Sequence, residues 1–470
     1  MRKKKKTLED LLEESLIKEE QLYDRPENWV VVKTNAVVDV RDGTHDTPTY
    51  QEEGIPLITS KNLKNGKLDF TNVKYISEEA HFEISKRSNV EANDILFAMI
   101  GTIGNPVLVE QISQEFSIKN VALFKPDIQR LDCKYLYYYL QSPVYKHYLK
   151  SNEKGSTQKF IPLNVLRNAP LYFPPLNEQK RIAEKVERLL NKVEKAKRLI
   201  EEAKETFNFR RASVLDKAFR GELTKEWRKN NSLETINDMC DQTFYSLPAD
   251  WKWIKLSDIM EMQNGMSKRR GTSGKSVPVL RLADVNGTEF VNSNLREIML
   301  SDKELQKYKL EIDDILFIRV NGSFNSVGKA IHFKIPQEIA YCDHLIRGTF
   351  NKEQINPIYV KYLFESPLIR NQLKDKIVSS AGQNTVSQGS LGSLMIPLPP
   401  KEEMDEIVEV LESVISKEKA ALSYLKDNTD IEALKQSILS KAFRGELGTN
   451  ESDEENAIEL LKEVFQERAK

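Results

Sequence analysis

The stretch "SVLDKAFRGEL" fills residues 213–223, and "SILSKAFRGEL" fills residues 437–447. Seven consecutive residues, 217–223 against 441–447, are identical. An echo of that length marks an internal duplication, and it extends well beyond the phrase itself. "RPENWVVVKTNAVVDVRDGTHDTP" from Arg25 aligns with "LPADWKWIKLSDIMEMQNGMSKRR" from Leu247, with Trp29 and Trp251 in register. "IPLITSKNLKNGKLDFTNVKYI" from Ile55 aligns with "VPVLRLADVNGTEFVNSNLREI" from Val277. "NDILFAMIGTIGNPVLV" from Asn93 aligns with "DDILFIRVNGSFNSVGKAI" from Asp313, and "LYFPPLNEQKRIAEKV" from Leu171 with "IPLPPKEEMDEIVEVL" from Ile396. The offset drifts only from 220 to 225, a period too long for a solenoid. Two domains of like order follow, each continued by a helix.

The globular parts, 25–175 and 247–398, read as mixed α/β. "WVVV", "IPLIT", "DILFAMI" and "VALFKP" are short β-rich apolar runs bounded by Gly, Asn, Asp or Pro. "DCKYLYYYLQSPVYKHYL" and "NPIYVKYLFESPLIRNQL" carry apolar residues at helical spacing, and the Ser-Pro inside each should break the helix. After Pro174-Pro175, apolar residues fall at Ile182, Val186, Leu189, Val193, Ala196, Ile200, Ala203 and Phe207. Gaps alternating four and three are the seam of a coiled coil. Asn177 is the expected cap of this 176–220 helix. A second helix is expected over 399–445, with Glu402, Glu403 and Asp405 favouring the positive end of its dipole. Its stripe (Ile407, Leu411, Val414, Ala421, Leu425, Ile431, Leu434, Ile438) is less regular, which allows for a bend or an interruption. A helix of this length, ~65 Å at about 1.5 Å per residue, needs a partner. The other long helix is the obvious one, giving two antiparallel coiled-coil helices and a pseudo-two-fold internal repeat.

KAFRGEL then has a local meaning. Lys217 and Arg220 sit in the last helical turn with Gly221 just beyond, and Lys441, Arg444 and Gly445 repeat the pattern. Capping does not explain the identity of Phe219 with Phe443, which suggests a shared surface beyond the helix end where Phe219-Arg220-Gly221 and Phe443-Arg444-Gly445 dock a partner. Amphipathic stretches precede Arg25 ("TLEDLLEESLI", within 1–24) and follow Leu447 ("NAIELLKEVF", within the acidic tail 446–470). The charged segment 221–246 reads as a linker. Either the two terminal stretches meet and complete the symmetry of the second half, or they pack independently.

Composition sets the bounds. The 470 residues carry 70 basic and 71 acidic side chains, a net charge of −1, so a nucleic-acid role requires segregated charge. "RKKKK" at 2–6 and "SKRRGTSGK" at 267–275 are basic, whereas "NESDEENAIE" is acidic. Cys133, Cys240 and Cys342 are scattered, which argues against a zinc site or a disulfide frame and fits a reducing cytoplasm. No apolar run reaches the 18 residues of a membrane span.

Chemistry is conspicuous by what is missing. The proline pairs "FPPL" and "LPPK" are not the Asn/Asp-Pro-Pro-aromatic loop of adenine methylation, and no GxGxxG or GxxxxGK[ST] is present. The histidines (His45, His81, His147, His332, His344) form no HExxH or i,i+4 pair. Polar, glycine-containing loops at matching places remain. In the first domain these are 41–48, 60–62, 101–105 and 155–159, with Arg41, Thr44, His45, Lys61, Asn62, Thr102, Thr157 and Gln158 as candidate DNA contacts. In the second they are 263–275, 319–326, 343–347 and 380–385. Their candidates, with Arg281, are Lys268, Arg269, Arg270, Arg319, Asn321, Ser323, Asn325, His344 and Gln383. Such side chains reach base edges and phosphates, Arg to guanine and Asn or Gln to adenine; ordinary surface turns would look the same. Arg319 and Asn321 directly follow the buried-strand signal "DILFI", which would hold them rigidly.

Two variable domains, each closed by a "PPxxEQxxI"-like helix start ("PPLNEQKRI", and the weaker "PPKEEMDEI"), with "KAFRGEL" ending both helices, resemble the specificity subunits of type I restriction–modification systems. The resemblance covers residues 25–447. It implies two target-recognition domains reading the halves of a split, asymmetric double-stranded DNA target, with the coiled coil setting the gap. It also implies two methyltransferase subunits and motor-endonuclease subunits as partners. S-adenosylmethionine, ATP and magnesium then belong to those partners, and this chain is non-catalytic. "PPKEEM" lacks the usual Gln, so the second helix start is expected to make less typical contacts. The competing readings are a stand-alone DNA-modifying enzyme with an unrecognised active site, and a coiled-coil scaffold without a DNA role.

Overall fold

A computed structural model describes residues 7–17, 25–231, 245–271, 273–290, 295–427, 430–451 and 453–469. The basic run at 2–6, Cys240, Thr272 and residues 232–244 of the 221–246 linker lie outside the described residues. The chain divides into two compact units: residues 1–199 with 429–470, and residues 200–428. Each unit contains one globular domain, the start of the helix that follows it, and the end of the other domain's helix.

In the first unit the core strand Ile95–Ala98 is buried along its whole length. It lies in a four-stranded antiparallel sheet with Val121–Pro126 and Gly104–Leu108 on either side and Val38–Asp42 at the far edge. The second unit repeats the sheet with Ile315–Ile318, Leu345–Thr349, Ala330–His332 and Glu261–Asn264. A three-stranded mixed sheet stands beside it in each: Lys74–Ile76, Ile55–Ile58, Ser117–Ile118, and Arg296–Leu300, Lys275–Leu280, Ala340–Tyr341. The run after each tryptophan pairs with the run before each double proline: Val30–Lys33 with Pro170–Phe173, and Lys252–Lys255 with Met395–Leu398. This ladder brings the two ends of each domain together and delivers the chain into its long helix.

The Ser-Pro breaks form as expected. Ser142 caps the helix Pro143–Asn152 and Ser366 caps Pro367–Lys374, each with proline in the first turn, where its missing N–H is no loss. The central helix runs Leu176–Phe219 without interruption. It starts directly after Pro175, with the Gln179 amide donating to the Pro175 carbonyl at 3.0 Å. Asn177 therefore lies inside the first turn and is not its cap. The second long helix is two: Lys401–Asp427, then Ile431–Ala442 restarted by the Asp430 side chain, which accepts from the Ala433 amide at 2.9 Å. The apolar stripes also need correction. Ile182, Val186 and Val193 are buried but Ala196 is exposed. In the second stripe Ile415, not Val414, is the buried residue, and Leu434 is half exposed while Leu439 is buried.

Within the first unit the helix segments run antiparallel. Arg181 grips Glu454 through two bonds of 2.9 and 2.7 Å and the Thr449 carbonyl at 3.0 Å, while further along Glu194 meets Lys435. The second unit has the same sense: Thr224 and Arg228 reach Glu403 near one end, while 207–211 face 409–422 across a groove. Both KAFRGEL ends close alike. The Glu222 amide donates to the Lys217 carbonyl and the Glu446 amide to the Lys441 carbonyl, each at 2.9 Å, with Gly221 and Gly445 at φ +73° and +75°. These are the six-to-one bonds and left-handed glycine of a helix C-cap.

The terminal stretches meet. Leu8–Ser15 packs with Ala457–Ala469 in the first unit, and the Ala457 amide donates to the Asn28 carbonyl at 3.0 Å. Leu461, Val464 and Phe465 enter the core of the first domain.

Candidate nucleic-acid interface

The side chains common to both repeats are buried at the junction of domain and helix. Glu178 accepts from the Trp29 indole at 2.8 Å and from Asn450 at 2.9 Å. Glu403 accepts from the Trp251 indole at 2.8 Å and from Thr224 at 2.6 Å, and pairs with Arg228. Gln179 ties the helix start to the Asp132 amide and to the Arg130 and Pro174 carbonyls at 2.9–3.1 Å. Its counterpart Met404 is buried too, with its sulfur 3.1 Å from the Asn356 amide. The departure in "PPKEEM" therefore replaces a three-way polar tie by one weak acceptor and apolar packing.

Phe219 and Phe443 do not reach a surface, which corrects the expectation that they dock a separate partner. The Phe219 ring meets Tyr359 edge-on at 5.2 Å, and the Phe443 ring meets Tyr135 and Tyr139 at 5.3 and 5.1 Å. Both rings are fully buried. Each KAFRGEL end thus enters the core of the domain belonging to the other repeat. Arg220 and Arg444 stay partly exposed, paired with Asp216 and Glu446, and Arg220 also lies over the Tyr245 ring at 4.2 Å.

The polar loops converge in the same way in both units. In the first, loop 42–48 is joined to the turn at 118–120: the Thr44 amide donates to the Ile118 carbonyl at 3.0 Å, and Lys119 reaches Thr47. The segment after the core strand is joined to the hairpin at 154–160, where Ile100 bridges Phe160. In the second unit Met266 bridges Cys342, the Arg319 amide donates to the His344 carbonyl at 2.8 Å, and Val320 pairs with Thr385. Four loops per domain, hung on the ends of buried strands, make one polar surface in each unit.

Individual candidates fare differently on that surface. His45 is held between Asn120 Oδ1 at 2.9 Å and the buried Asp42 Oδ2 at 2.7 Å, and these two partners raise its pKa. Both ring nitrogens are engaged by these partners, so His45 fastens its loop. Asn62 is 4 % exposed and its amide serves the backbone of Thr59, Asp69 and Asn72. Arg281 forks onto Asp284 with two bonds of 3.0 Å, and Lys268 pairs with Glu304 at 2.9 Å. Buried Asn62 serves the fold, while Arg281 and Lys268 each stand half-exposed beside a carboxylate. Arg41 is tied to Asp39 and to the Arg87 carbonyl.

Thr44 is half-buried at the base of its loop. Lys61, Thr102, Thr157, Gln158, Arg270, Ser323, Asn325 and Gln383 stand exposed. The Asn321 side-chain Oδ1 accepts from the Ser323 amide at 2.8 Å. Arg319 and Arg269 converge on residue 343: Arg319 Nη1 donates to the Asp343 carbonyl at 3.1 Å, and Arg269 lies 3.2 Å from the Asp343 carboxylate. Sequence reasoning missed Asp343, Asp42 and Asn120 as anchors, because anchors are defined by proximity in space.

Cys342, Asp343 and His344 hold their ligand atoms within 4.8 Å of one another. Burial keeps the Cys342 thiol protonated, and the Arg269 guanidinium already serves Asp343, so the donor set suits a cation poorly. The Ser–His contact at His81 Nδ1 and Ser117 Oγ, 2.9 Å apart, is no nucleophile pair: Ser117 is 1 % exposed. No helix among the described residues is long and apolar enough to cross a membrane.

The profile of the type I restriction modification DNA specificity domain matches residues 26–205 and again residues 248–426. The chain belongs to this family. The two matches make it a specificity subunit with two target-recognition domains. It is 30 % identical over 468 residues to the type I restriction enzyme StySPI specificity subunit of Salmonella potsdam, covering 94 % of this chain and 96 % of that one. It is 28 % identical over 473 residues to the EcoKI specificity subunit of Escherichia coli K12, with the same coverage of each. The solved HsdS subunit of Thermoanaerobacter tengcongensis shares the fold at a TM-score of 0.55 and 20 % identity, covering 91 % of this chain and all of that one. A chain from a structure of type I complex assembly and conformational transition does so at 0.66, with the same identity and coverage.

Proposed function

We propose that this specificity subunit is the non-catalytic reader of its complex, each domain recognising one half of a bipartite, asymmetric double-stranded DNA target. The observation that carries this is the pairing of like scaffold with unlike loops. The same four loops converge in each unit, yet Thr44-His45 stand where Met266-Ser267 stand, and Met99-Ile100-Gly101 where Arg319-Val320-Asn321 stand. Two domains built alike and tuned differently suit a target whose halves differ, which a symmetric homodimer could not read. In this reading the long helices set the spacer between the half-sites and offer their exposed faces, with Arg220 and Arg444, to two methyltransferase subunits. Those subunits and the motor-endonuclease subunits bring S-adenosylmethionine, ATP and magnesium, in the cytoplasm where the target DNA lies.

Mapping methylated adenines in cells with and without this chain tests the reading. The expected result is a two-part motif that vanishes with the gene; methylation unchanged by its loss would overturn it. Inserting one helical turn, about 5.4 Å, into 176–219 should lengthen the spacer by about one to two base pairs and keep both half-sites. Purified chain that alone methylates or cuts DNA would establish the enzyme reading instead.

A further inference from the structure

Nearly every residue that the two repeats share has a folding reason. Trp29 and Trp251 are bonded to Glu178 and Glu403, and Tyr135 and Tyr359 donate to the Tyr172 and Pro397 carbonyls, each at 2.7 Å. Gly43 and Gly265 lie against the Ile118 and Cys342 carbonyls, where a Cβ would overlap. Gln158 and Gln383 have no such reason. Both are exposed, and neither side-chain amide holds a hydrogen bond among the described residues.

Their positions match in the backbone as well as in the alignment. Ile161 donates to the Met99 carbonyl at 2.9 Å and Val386 to the Arg319 carbonyl at 3.0 Å. Just before these, Phe160 bridges Ile100 and Thr385 pairs with Val320. Each glutamine stands two residues ahead of that bridge, on a hairpin fastened to the segment leaving the buried core strand. The turns differ: Gly155 at φ +92° closes the first hairpin, and Ala381-Gly382 at +48° and +77° close the second. The neighbours differ too, Thr157 and Lys159 against Gly382 and Asn384. The glutamine persists while its surroundings change, on a rigid support, with no packing or bonding that demands it.

A primary amide is uncharged, so it adds nothing to general phosphate attraction. It presents one donor beside one acceptor, the complement of adenine N7 and N6 in the major groove. We propose that Gln158 and Gln383 do the same task, each reading the adenine edge of one A·T pair in its own half-site. The proposal rests on the half-site reading above and deepens it: unlike loops read what distinguishes the halves, and the shared amide reads what they have in common.

The test uses the full chain assembled with methyltransferase subunits, and DNA pools randomised in one half-site at a time. The wild-type chain should enrich an adenine in each half. Gln158→Ala should reduce that preference about 5- to 150-fold in one half only, and Gln383→Ala in the other half only. Thermal midpoints should not move, since alanine removes no contact. Gln→Glu at either position should turn the preference toward cytosine, whose N4 amino group donates to a carboxylate. Unchanged preference, equal weakening on all sequences, or loss at a base other than adenine would each overturn the assignment. Enrichment of bipartite sites without a shared adenine would overturn it and leave the half-site reading standing; a wild-type chain that enriches no sequence would overturn both.

Discussion

Gly445 lies against the pyrrolidine ring of Pro26 at a φ of +75°, so that a methyl group on its α-carbon would overlap that ring. Gly221, at +73°, lies in the same way against Pro248. Each proline opens a domain, so the helix Ile431–Ala442 closes on the beginning of the first domain just as the central helix closes on the beginning of the second.

Gly445→Ala and Gly221→Ala therefore combine a left-handed backbone with a collision, and each should destabilise its unit by about 2–4 kcal/mol. Gly448→Ala is the control: φ is +65° but no atom lies within 4 Å of the added carbon, so only the backbone term of about 1 kcal/mol remains. Denaturant midpoints of the three variants check the order. Equal losses at 445 and 448 would mean the contact with Pro26 is immaterial.

The fate of the KAFRGEL rings gives a less intuitive expectation. Phe443→Ala, close to the C-terminus in sequence, should weaken the first domain by about 3–5 kcal/mol, because its ring is packed on Tyr135 and Tyr139. Phe219→Ala should do the same to the second domain through Tyr359. Hydrogen exchange read separately over 133–149 and 357–374 distinguishes this exchange of helix ends from the alternative in which each phrase supports its own repeat.

That exchange was not legible in the sequence, and the reason is physical. An identical phrase carries no mark of which core it enters. The duplication, the Ser-Pro breaks and the uninterrupted central helix were readable because they depend on local periodicity and caps. The Trp29–Glu178 bond joins residues 149 positions apart, and only the repetition of both residue types hinted at it. Candidate readers were found by residue type, which could not separate Arg281, bonded to Asp284, from exposed Arg270. The break before Asp430 was foreshadowed by an irregular stripe, but its place was set by a cap.

Glu178 and Glu403 occupy equivalent places with different partners, Asn450 at the first and Arg228 at the second. Burial raises the pKa of Glu178, against the bonds from Trp29 and Asn450, and its other oxygen is buried without a partner. A carboxyl whose native pKa is raised contributes most below its ordinary value and loses that contribution as pH rises through the native value. Relative to Glu178→Gln, the wild-type first unit should therefore lose stability as pH climbs above the ordinary glutamate value of about 4.3. A flat difference would mean that folding leaves the carboxyl's pKa unchanged. Glu403→Gln should cost about 3–5 kcal/mol at neutral pH, because it leaves the buried Arg228 guanidinium without a counter-charge.

Arg319 is the sharpest probe of the half-site reading. It leaves the buried strand Ile315–Ile318, its amide is fixed to the His344 carbonyl, and its guanidinium leans on the Asp343 carbonyl with further donors free to turn outward. Arg319→Ala should relax recognition by about 1–3 kcal/mol at one base pair of one half-site, leaving the other half untouched. Arg319→Lys keeps the charge but loses the planar fork, so it should rescue little of that discrimination. A phosphate contact would behave oppositely, with weakening spread evenly over all sequences, a shallower salt dependence and substantial rescue by lysine. Competition binding against single-base variants of each half-site, at two salt concentrations, separates the two outcomes.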